Sequence, residues 1–402
     1  MNTVFEAGLP AASNPSAIAP GECPWDRYGR VDRSTWAGLL GPTLVVTDQS
    51  VARTILADPR FQQGIRVAME NNPAIDPRFL ARRKEGLLLR DGPDHLRLRR
   101  LSTKAFTPRA ANRHRPFMRE VMNNLAEQVP ASGVCDAVAT ITATYPIHVI
   151  CRVLGAPSED IAMFSRVAET ILHAQSGSPE HLESGLAAHD ELDAYVSSLI
   201  ERRRSDPGDD LLTDLIHAEE DGGRLTREEM LYIVVSVIMA GTDTTRNQLA
   251  IGLHLLADHP TQWAELAEPG RVDTAVEEIT RFAPVGHVLS RVAPVDVEIR
   301  GLSIPAGTMV VLNIGGANRD PETAGDQANV FDTARSPSPV HLSFGFGLKY
   351  CLGANLARAE MAEGLTMLRE HFAGIEHAGT TPFRQAGFIQ GPIELPLRFT
   401  RL

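Results

Sequence analysis

The sequence is poor in the features that mark secreted, membrane-spanning and nucleic-acid-binding proteins. Its 402 residues include only four cysteines, scattered without paired spacing, which argues against a disulfide framework and favours a reducing compartment. The longest apolar run, residues 231–241, is well short of the about 18 residues that a membrane span needs. Acidic residues outnumber Lys and Arg by 50 to 39, and the net charge of −11 argues against general nucleic-acid binding.

Export signals and interdomain linkers are also lacking. The N-terminal region has no basic start, and Pro10, Pro15 and Pro20 interrupt it, so we expect no signal peptide and a cytoplasmic protein. No Gly/Ser-rich or Pro-rich linker divides the chain, and a hydrophobic content of 43% permits one large core. We therefore expect a single domain over residues 1–402, with residues 1–30 as an irregular N-terminal arm.

One cysteine, Cys351, lies in a glycine-rich segment with the sequence FGFGLKYCLGANLAR. Gly345 precedes it, Gly353 follows it, and a strong helix-forming run comes next. Glycines let a backbone pass close under a flat, bulky group, and the free N–H groups at a helix start bias a thiol toward thiolate. A lone cysteine is more often a small buried hydrophobic residue, but this surrounding pattern favours an iron ligand.

A second unusual segment lies within a long predicted helix, residues 226–258. The first half of this helix is apolar nearly all round, which predicts a buried position, yet it contains the polar run AGTDTT. The Thr244 hydroxyl can bond to the Ala240 carbonyl four residues earlier, and Gly241 leaves space beside the backbone. The segment predicts a notch lined by a hydroxyl and by the Asp243 carboxyl; a purely structural kink is an equal alternative.

Cations concentrate in a third segment, DGPDHLRLRRL, which begins at Asp91 and is predicted to be helical. His95 and Arg99 are four residues apart and share one face of this helix. Arg100 and Lys104 spread over other faces. For any single cation, a solvated helix surface is the simplest interpretation.

These segments together resemble the cytochrome P450 family, the haem-thiolate monooxygenases. The pattern FGxGxxxCxG around Cys351 is similar to the family's haem-ligand loop, and AGxDTT at 240–245 to its oxygen-binding groove. DGPDHxxxR at 91–99 matches the helix whose His and Arg hold the haem propionates. Lys349 departs from the pattern, because the family usually has His or Arg there; lysine can still donate to a propionate as a point charge.

The resemblance implies a mainly α-helical fold with a small β-rich region around one haem b. Asp243 would deliver protons and Thr244 would order water, as the catalytic pair. Cys351 would be the iron ligand. The residues implied in cofactor binding are His95, Arg99, Ala240, Gly241, Arg291, Phe344, Gly345, Lys349, Cys351 and Gly353. A buried ion group that braces the cysteine loop is implied for Glu278, Arg281 and Arg335.

The implied activity is hydroxylation of an apolar small molecule with O2 and two electrons. No GxGxxG follows a predicted strand, so the electrons should come from a ferredoxin and its reductase, docked on the cationic side of the haem. The substrate would be a terpenoid, steroid, fatty acyl or macrolide-like compound. The expected pocket residues are Val234, Val237, Ile238, Val288, Leu289 and Ile389. Polar contacts are possible from His287 and Gln390, and the family's lid falls around His173, Gln175 and Ser176. We expect a monomer with no nucleic-acid or membrane partner.

Two other classes remain open at this point. One is a thiolate-haem peroxygenase, isomerase or dehydratase that inserts no oxygen from O2; such relatives often lose the acid–alcohol pair that Asp243 and Thr244 provide here. The other is a non-catalytic haem-binding sensor or carrier, which needs neither a proton relay nor a long apolar groove.

Overall fold

Helices dominate the fold. The computed structural model describes residues 2–17, 23–174, 179–220, 225–336, 340–384 and 389–402. The α-helices within these ranges are α1 Gln49–Ala57, α2 Gly64–Glu70, α3 Pro77–Glu85, α4 Gly92–Ser102, α5 Pro108–Arg113, α6 Arg115–Glu127, α7 Tyr145–Leu154, α8 Ile161–Ala174, α9 Pro179–Ser205, α10 Leu211–Glu220, α11 Arg227–Asp258, α12 Pro260–Glu265, α13 Arg271–Phe282, α14 Ile314–Ala317, α15 Pro321–Ala324 and α16 Ala354–His371. The predicted mainly α-helical fold class is confirmed.

The strands form three small sheets. They are β1 Ala37–Leu40, β2 Thr43–Val46, β3 Gln62–Gln63, β4 Val134–Asp136, β5 Val288–Val292, β6 Val297–Ile299, β7 Leu302–Ile304, β8 Met309–Asn313, β9 Phe372–His377 and β10 Pro396–Arg401. The largest sheet has the order β1-β2-β8-β5-β3, in which β2 and β8 are parallel. The second has the order β4-β10-β9, and the third is the short hairpin of β6 and β7.

The long helix α11 passes through the main hydrophobic core. The Thr226 hydroxyl accepts from the Glu229 N–H, and the Glu229 carboxylate accepts from the Thr226 N–H, so a capping box starts the helix. The 32 residues of α11 extend roughly 48 Å at 1.5 Å per residue. Most of its apolar side chains are buried, which fixes the polar run 240–245 inside the molecule.

The N-terminal arm is largely irregular and is fastened to the β-rich region. Val4 is buried and donates its N–H to the Ser303 carbonyl at 2.9 Å, and the Ala12 N–H donates to the Leu39 carbonyl at 2.8 Å. A 3₁₀ helix at Asp26–Arg30 ends the arm. The arm therefore adds to the small core beneath the five-stranded sheet.

The segment 59–90, which lacks a clean hydrophobic period, contains α2 and α3. The Asp76 carboxylate accepts from the Arg78 N–H, and Pro77 stands in the first turn, so local capping supplies the start of α3. Residues 175–178, which include Gln175 and Ser176 of the predicted lid, lie outside the described residues. None of the helices in the described part of the chain combines the length and apolar character that crossing a membrane requires.

Candidate haem-thiolate site

The loop that carries Cys351 is closed by its own backbone. The Cys351 N–H donates to the Phe344 carbonyl at 2.8 Å. Gly345 and Gly347 have φ values of 73° and 68°, in the left-handed region that favours glycine. A Cβ at Gly347 would lie 2.9 Å from the Leu56 carbonyl oxygen, so the loop also packs against the end of α1 at a distance that only glycine permits.

The thiol of Cys351 is held at the start of α16 but is not ionised by that position alone. Burial, the largest influence, raises the pKa of the thiol above its ordinary value, whereas the Gly353 N–H and the positive charges of Arg99 and Arg358 lower it. The expected bias toward thiolate from the helix start is therefore wrong for the protein alone, because desolvation outweighs it. A cation bonded to the sulfur would reverse that balance.

Cys351 and one face of α11 keep accessible surface inside the protein and so line a recess. Cys351 keeps accessible surface although the surrounding protein desolvates its thiol, a combination that places it on the wall of a deep internal space. On α11, Ser236, Ala240 and Thr244 follow one another at intervals of four residues and also keep accessible surface, although most of their neighbours are buried. One stripe of α11 therefore faces open space.

The predicted back-bond within α11 is present. The Thr244 hydroxyl donates to the Ala240 carbonyl at 2.7 Å. The Asp243 carboxylate is buried and accepts from Arg384 at 3.1 and 3.3 Å and from the Asn247 amide at 2.9 Å. Hydroxyl and carboxylate are thus adjacent in sequence but differ in setting, because Thr244 keeps accessible surface and Asp243 is held in a buried ion pair.

Gly241 has a different structural role from the one expected. A Cβ at this position would lie 2.6 Å from Cγ1 of Ile150, so the side of Gly241 is filled by α7. The glycine lets α7 and α11 approach each other and does not open a space on that side. The accessible space beside the helix comes from the Ala240–Thr244 stripe.

Four of the predicted cofactor-binding side chains gather near the start of α4. His95 is buried between the Leu87 carbonyl, at 3.1 Å from Nδ1, and the Leu348 carbonyl, at 3.4 Å from Nε2. The Lys349 ammonium lies 3.1 Å from His95 Nδ1 and 3.3 Å from the Asp91 carboxylate. The α4 helix therefore contacts the cysteine loop directly.

The charges of this group are not balanced within the described residues. Burial lowers the pKa of Lys349 to about 8 and that of Arg291 to about 10, and burial also lowers the pKa of Arg99. The Asp91 carboxylate opposes this shift for Lys349 and Arg291, while no carboxylate in the described part of the chain pairs with Arg99. Three buried or half-buried cations thus share one carboxylate, which leaves two positive charges uncompensated.

The predicted ion group is present and connects to the cysteine loop. Arg281 donates to both Glu278 oxygens at 2.7 and 2.8 Å, and Arg335 donates to Glu278 at 3.2 Å. Arg281 also donates to the Asn318 carbonyl at 3.0 Å, and the Asn318 amide donates to the Ser343 hydroxyl at 2.9 Å. The network therefore reaches the residue before the loop begins.

The predicted pocket residues divide into two groups. Val234, Val237 and Ile238 have 0%, 7% and 1% of their surface accessible and are buried in the core, which differs from their expected place on the pocket wall. Val288, Leu289 and Ile389 keep part of their surface accessible. The two groups separate because the accessible stripe of α11, at Ser236, Ala240 and Thr244, is offset by two residues from the one that carries Val234 and Ile238.

The two predicted polar contacts also differ from each other. His287 is fully buried, lies 3.1 Å from the Ser16 hydroxyl and stacks near Tyr28, so its ring is engaged by the N-terminal arm and not by a pocket. The Gln390 amide is buried at 1% accessibility and has no hydrogen-bond partner within the described residues. Its contact with a ligand stays a prediction.

Comparison with known proteins decides the family. The sequence model described as Cytochrome P450 matches residues 35–269 and 262–392. The chain belongs to the cytochrome P450 family.

Among the relatives of this P450 is the nocardicin C N-oxygenase of Nocardia uniformis subsp. tsuyamanensis, which is 36% identical over 360 residues and covers 88% of each chain. The mycinamicin IV hydroxylase/epoxidase of Micromonospora griseorubida is 36% identical over 383 residues, 92% of this chain and 94% of the relative. The crystal structure of CalO2 is 29% identical, with a TM-score of 0.86 over 96% of this chain and 99% of the other. This P450 is accordingly a monooxygenase, the class to which such relatives belong.

The P450 family implies a haem, and the residues present fit one. The two uncompensated positive charges around Arg99, Arg291 and Lys349 match the two propionates of a protoporphyrin. The accessible thiol of Cys351 would supply a sulfur ligand to the iron, and the accessible stripe at Ala240 would supply a surface for a flat macrocycle. Haem would thus replace the missing counter-charges of a buried cationic group.

The sequence analysis did not identify Arg384 as the ion-pair partner of Asp243. Arg384 lies about 140 residues after Asp243 in the chain, and nothing in its surrounding sequence marks it as an ion-pair partner. A buried aspartate needs a compensating cation, so the predicted burial of α11 implies that Asp243 has a cationic partner. The sequence does not indicate which of the many arginines of the chain it is.

Proposed function

We propose that this P450 hydroxylates an apolar natural product, with haem b as cofactor, O2 as oxidant and two electrons from a ferredoxin that is reduced by its own reductase. The observation that carries the proposal is the recess with accessible surface at Cys351, Ala240 and Thr244. A bound haem would supply the activation of O2, which a thiolate ligand favours by pushing electron density to iron.

The cysteine loop would hold the cofactor in position. The Gly353 N–H at the sulfur would moderate the charge of a bound thiolate and so its donation to iron. Arg99, Arg291 and Lys349, with His95 between the loop and α4, would hold the two propionates.

The chain's own groups would deliver protons in two stages. Thr244 presents a hydroxyl whose proton is donated to the Ala240 carbonyl, so its oxygen can accept a hydrogen bond from water in the recess. Asp243 can receive a proton from solvent only after it exchanges the Arg384 ion pair for water. We therefore propose that opening of this pair times the passage of protons to Thr244.

The substrate is proposed from the character of the accessible wall. Val288, Leu289 and Ile389 offer aliphatic surface, which is complementary to a terpenoid, steroid, fatty acyl or macrolide-like compound. The similarity to an enzyme named for mycinamicin IV supports a bulky natural product. A panel of such compounds, screened for the spectral change that follows displacement of iron-bound water, would find the ligand class.

The electron donor is proposed to dock near α4. Arg100 and Lys104 are exposed, although Lys104 is paired with Asp214 at 2.5 Å and only part of its charge is free to act at a distance. Arg100→Glu should slow electron transfer from ferredoxin most at low salt, because screening removes the effect at high salt. Arg398→Glu, on β10, is the matched control. Equal rates for Arg100→Glu and wild type at low salt would remove this docking site.

The deciding experiment replaces the cysteine. Cys351→Ser in the haem-loaded protein should lose the red-shifted Soret band of the ferrous–CO form that thiolate ligation produces, and should lose hydroxylation. Cys135→Ser, a half-buried cysteine at β4, should keep both. A Cys351→Ser protein with an unchanged band would exclude Cys351 as the ligand.

A further inference from the structure

A cluster of two histidines and one aspartate lies where α11 ends. His254 and Asp258 are four residues apart on the last turns of α11 and therefore share one face. His377 is the last residue of β9, which comes to the same place from the C-terminal sheet. The cluster joins the central helix to that sheet.

The three side chains point at one another. Asp258 Oδ1 lies 3.0 Å from His377 Nε2, and Asp258 Oδ2 lies 3.5 Å from His254 Nε2. One ligand atom from each of the three residues falls within 4.8 Å of the others. Tetrahedral zinc with bonds of about 2.0–2.1 Å has ligand atoms about 3.3 Å apart, so small side-chain rotations would suffice to bind an ion.

The imidazole rings of His254 and His377 are close to each other but are not parallel. Their centroids are 4.6 Å apart and their planes are tilted by 59°, so they do not stack in parallel. His254 is mostly buried, and its edge contacts with Trp25 and Phe383, at 5.3 and 5.2 Å, fix its orientation. Its Nδ1 is buried without a hydrogen-bond partner among the residues described. Packing therefore fixes the orientation of the His254 ring.

The cluster is open to solvent on the Asp258 side. Burial is the main cause that raises the pKa of Asp26 and of the Cys23 thiol, and the Asp258 carboxylate adds to both shifts while Arg319 opposes them. Asp258 itself is 48% exposed, so an ion from solvent can reach the cluster.

We propose that His254, Asp258 and His377 form a binding site for a divalent transition-metal ion such as Zn²⁺. Two imidazoles and one carboxylate are the donors that zinc accepts, with water completing the coordination. The site would clamp the end of α11 to β9 and to the Trp25 segment of the N-terminal arm. It is distinct from the haem site, since none of its residues belongs to the cysteine loop or to the cationic group.

The test uses the haem-loaded protein and ZnCl2 alone. Isothermal titration calorimetry should find one Zn²⁺ bound per chain at this site, and saturating Zn²⁺ should raise the unfolding temperature. Mg²⁺ and Ca²⁺, which prefer sites built only of oxygen ligands, should do neither.

Variants separate this site from other zinc-binding groups. His377→Ala and Asp258→Asn should each weaken Zn²⁺ binding at least about tenfold and abolish the rise in unfolding temperature, because each removes one ligand. His217→Ala, at an exposed histidine of α10, should behave as the wild type. No binding to wild type, or equal binding to wild type, His377→Ala and Asp258→Asn, would overturn the proposal and leave Asp258 as a hydrogen-bond bridge between two imidazoles.

Discussion

The buried carboxylate of Glu278 should be among the most costly single groups to remove from this P450. Glu278 and Arg281 side chains are each 1% exposed, and Arg335, which also donates to Glu278, is 13% exposed. In Glu278→Gln the volume is kept, but two guanidinium groups lose their counter-charge inside the protein. Breaking a buried pair by removing one partner costs about 3–5 kcal/mol of unfolding free energy.

The structure offers a matched control ten residues earlier. Glu268 and Arg271 have the same spacing of three residues, but their side chains are 55% and 20% exposed. Solvent screens this pair, so Glu268→Gln should cost about 1 kcal/mol or less. Residue types, spacing and substitution are identical, so the comparison contrasts a buried carboxylate that has two arginine partners with an exposed carboxylate paired with Arg271.

The assay is equilibrium unfolding in urea, followed by far-UV circular dichroism and by Soret absorbance on the same samples. Hydrogen exchange should also show lost protection at Leu342, whose N–H donates to Asn318 Oδ1 at 2.7 Å, since Asn318 links the ion group to the loop. A loss below about 1 kcal/mol for Glu278→Gln, equal to that of Glu268→Gln, would refute the claim that this group braces the loop.

Three further perturbations have expected outcomes. Thr244→Ala should keep substrate binding, shown by optical titration, but should divert electrons from product to released hydrogen peroxide; an unchanged product yield per electron would count against the hydroxyl. Burial, and secondarily Arg27, lower the pKa of His287 to about 3 from 6.5, so the folded state resists its protonation and stability falls as pH drops from 6.5 toward 3. This group should cost the wild type about 2 kcal/mol between pH 7 and pH 5, and His287→Phe should lack that part of the slope in urea midpoints; an equal slope would refute the assignment. Gly241→Ala should lose about 1–3 kcal/mol of stability through contact with Ile150, whereas Gly374→Ala, in open space, should not; equal thermal unfolding temperatures would show that α7 can yield.

Interactions between residues close in sequence were predictable. The capping box of Thr226 and Glu229 and the back-bond of Thr244 depend on spacings of three and four residues, which helix geometry fixes before any tertiary contact forms. The pairing of Glu278 with Arg281 follows in the same way, and only its burial required the family resemblance.

Interactions set by tertiary packing were not predictable in this way. Arg384 with Asp243 and His287 with Ser16 join distant parts of the chain, and either residue could have been satisfied elsewhere. The pKa of Cys351 is a related case. Helix position and nearby arginines were readable from the sequence, but the desolvation that outweighs them depends on how much protein surrounds the sulfur.

One chain segment connects the proposed proton route to the proposed metal cluster. Phe383 packs against His254 of α11. The next residue, Arg384, pairs with Asp243, which lies on the same helix eleven residues before His254. A change at His254 would therefore move Phe383 and could alter the ion pair without any metal. Variants at His377 and Asp258 keep the His254 ring that packs against Phe383, and Arg384→Gln changes the ion pair while leaving all three residues of the cluster in place.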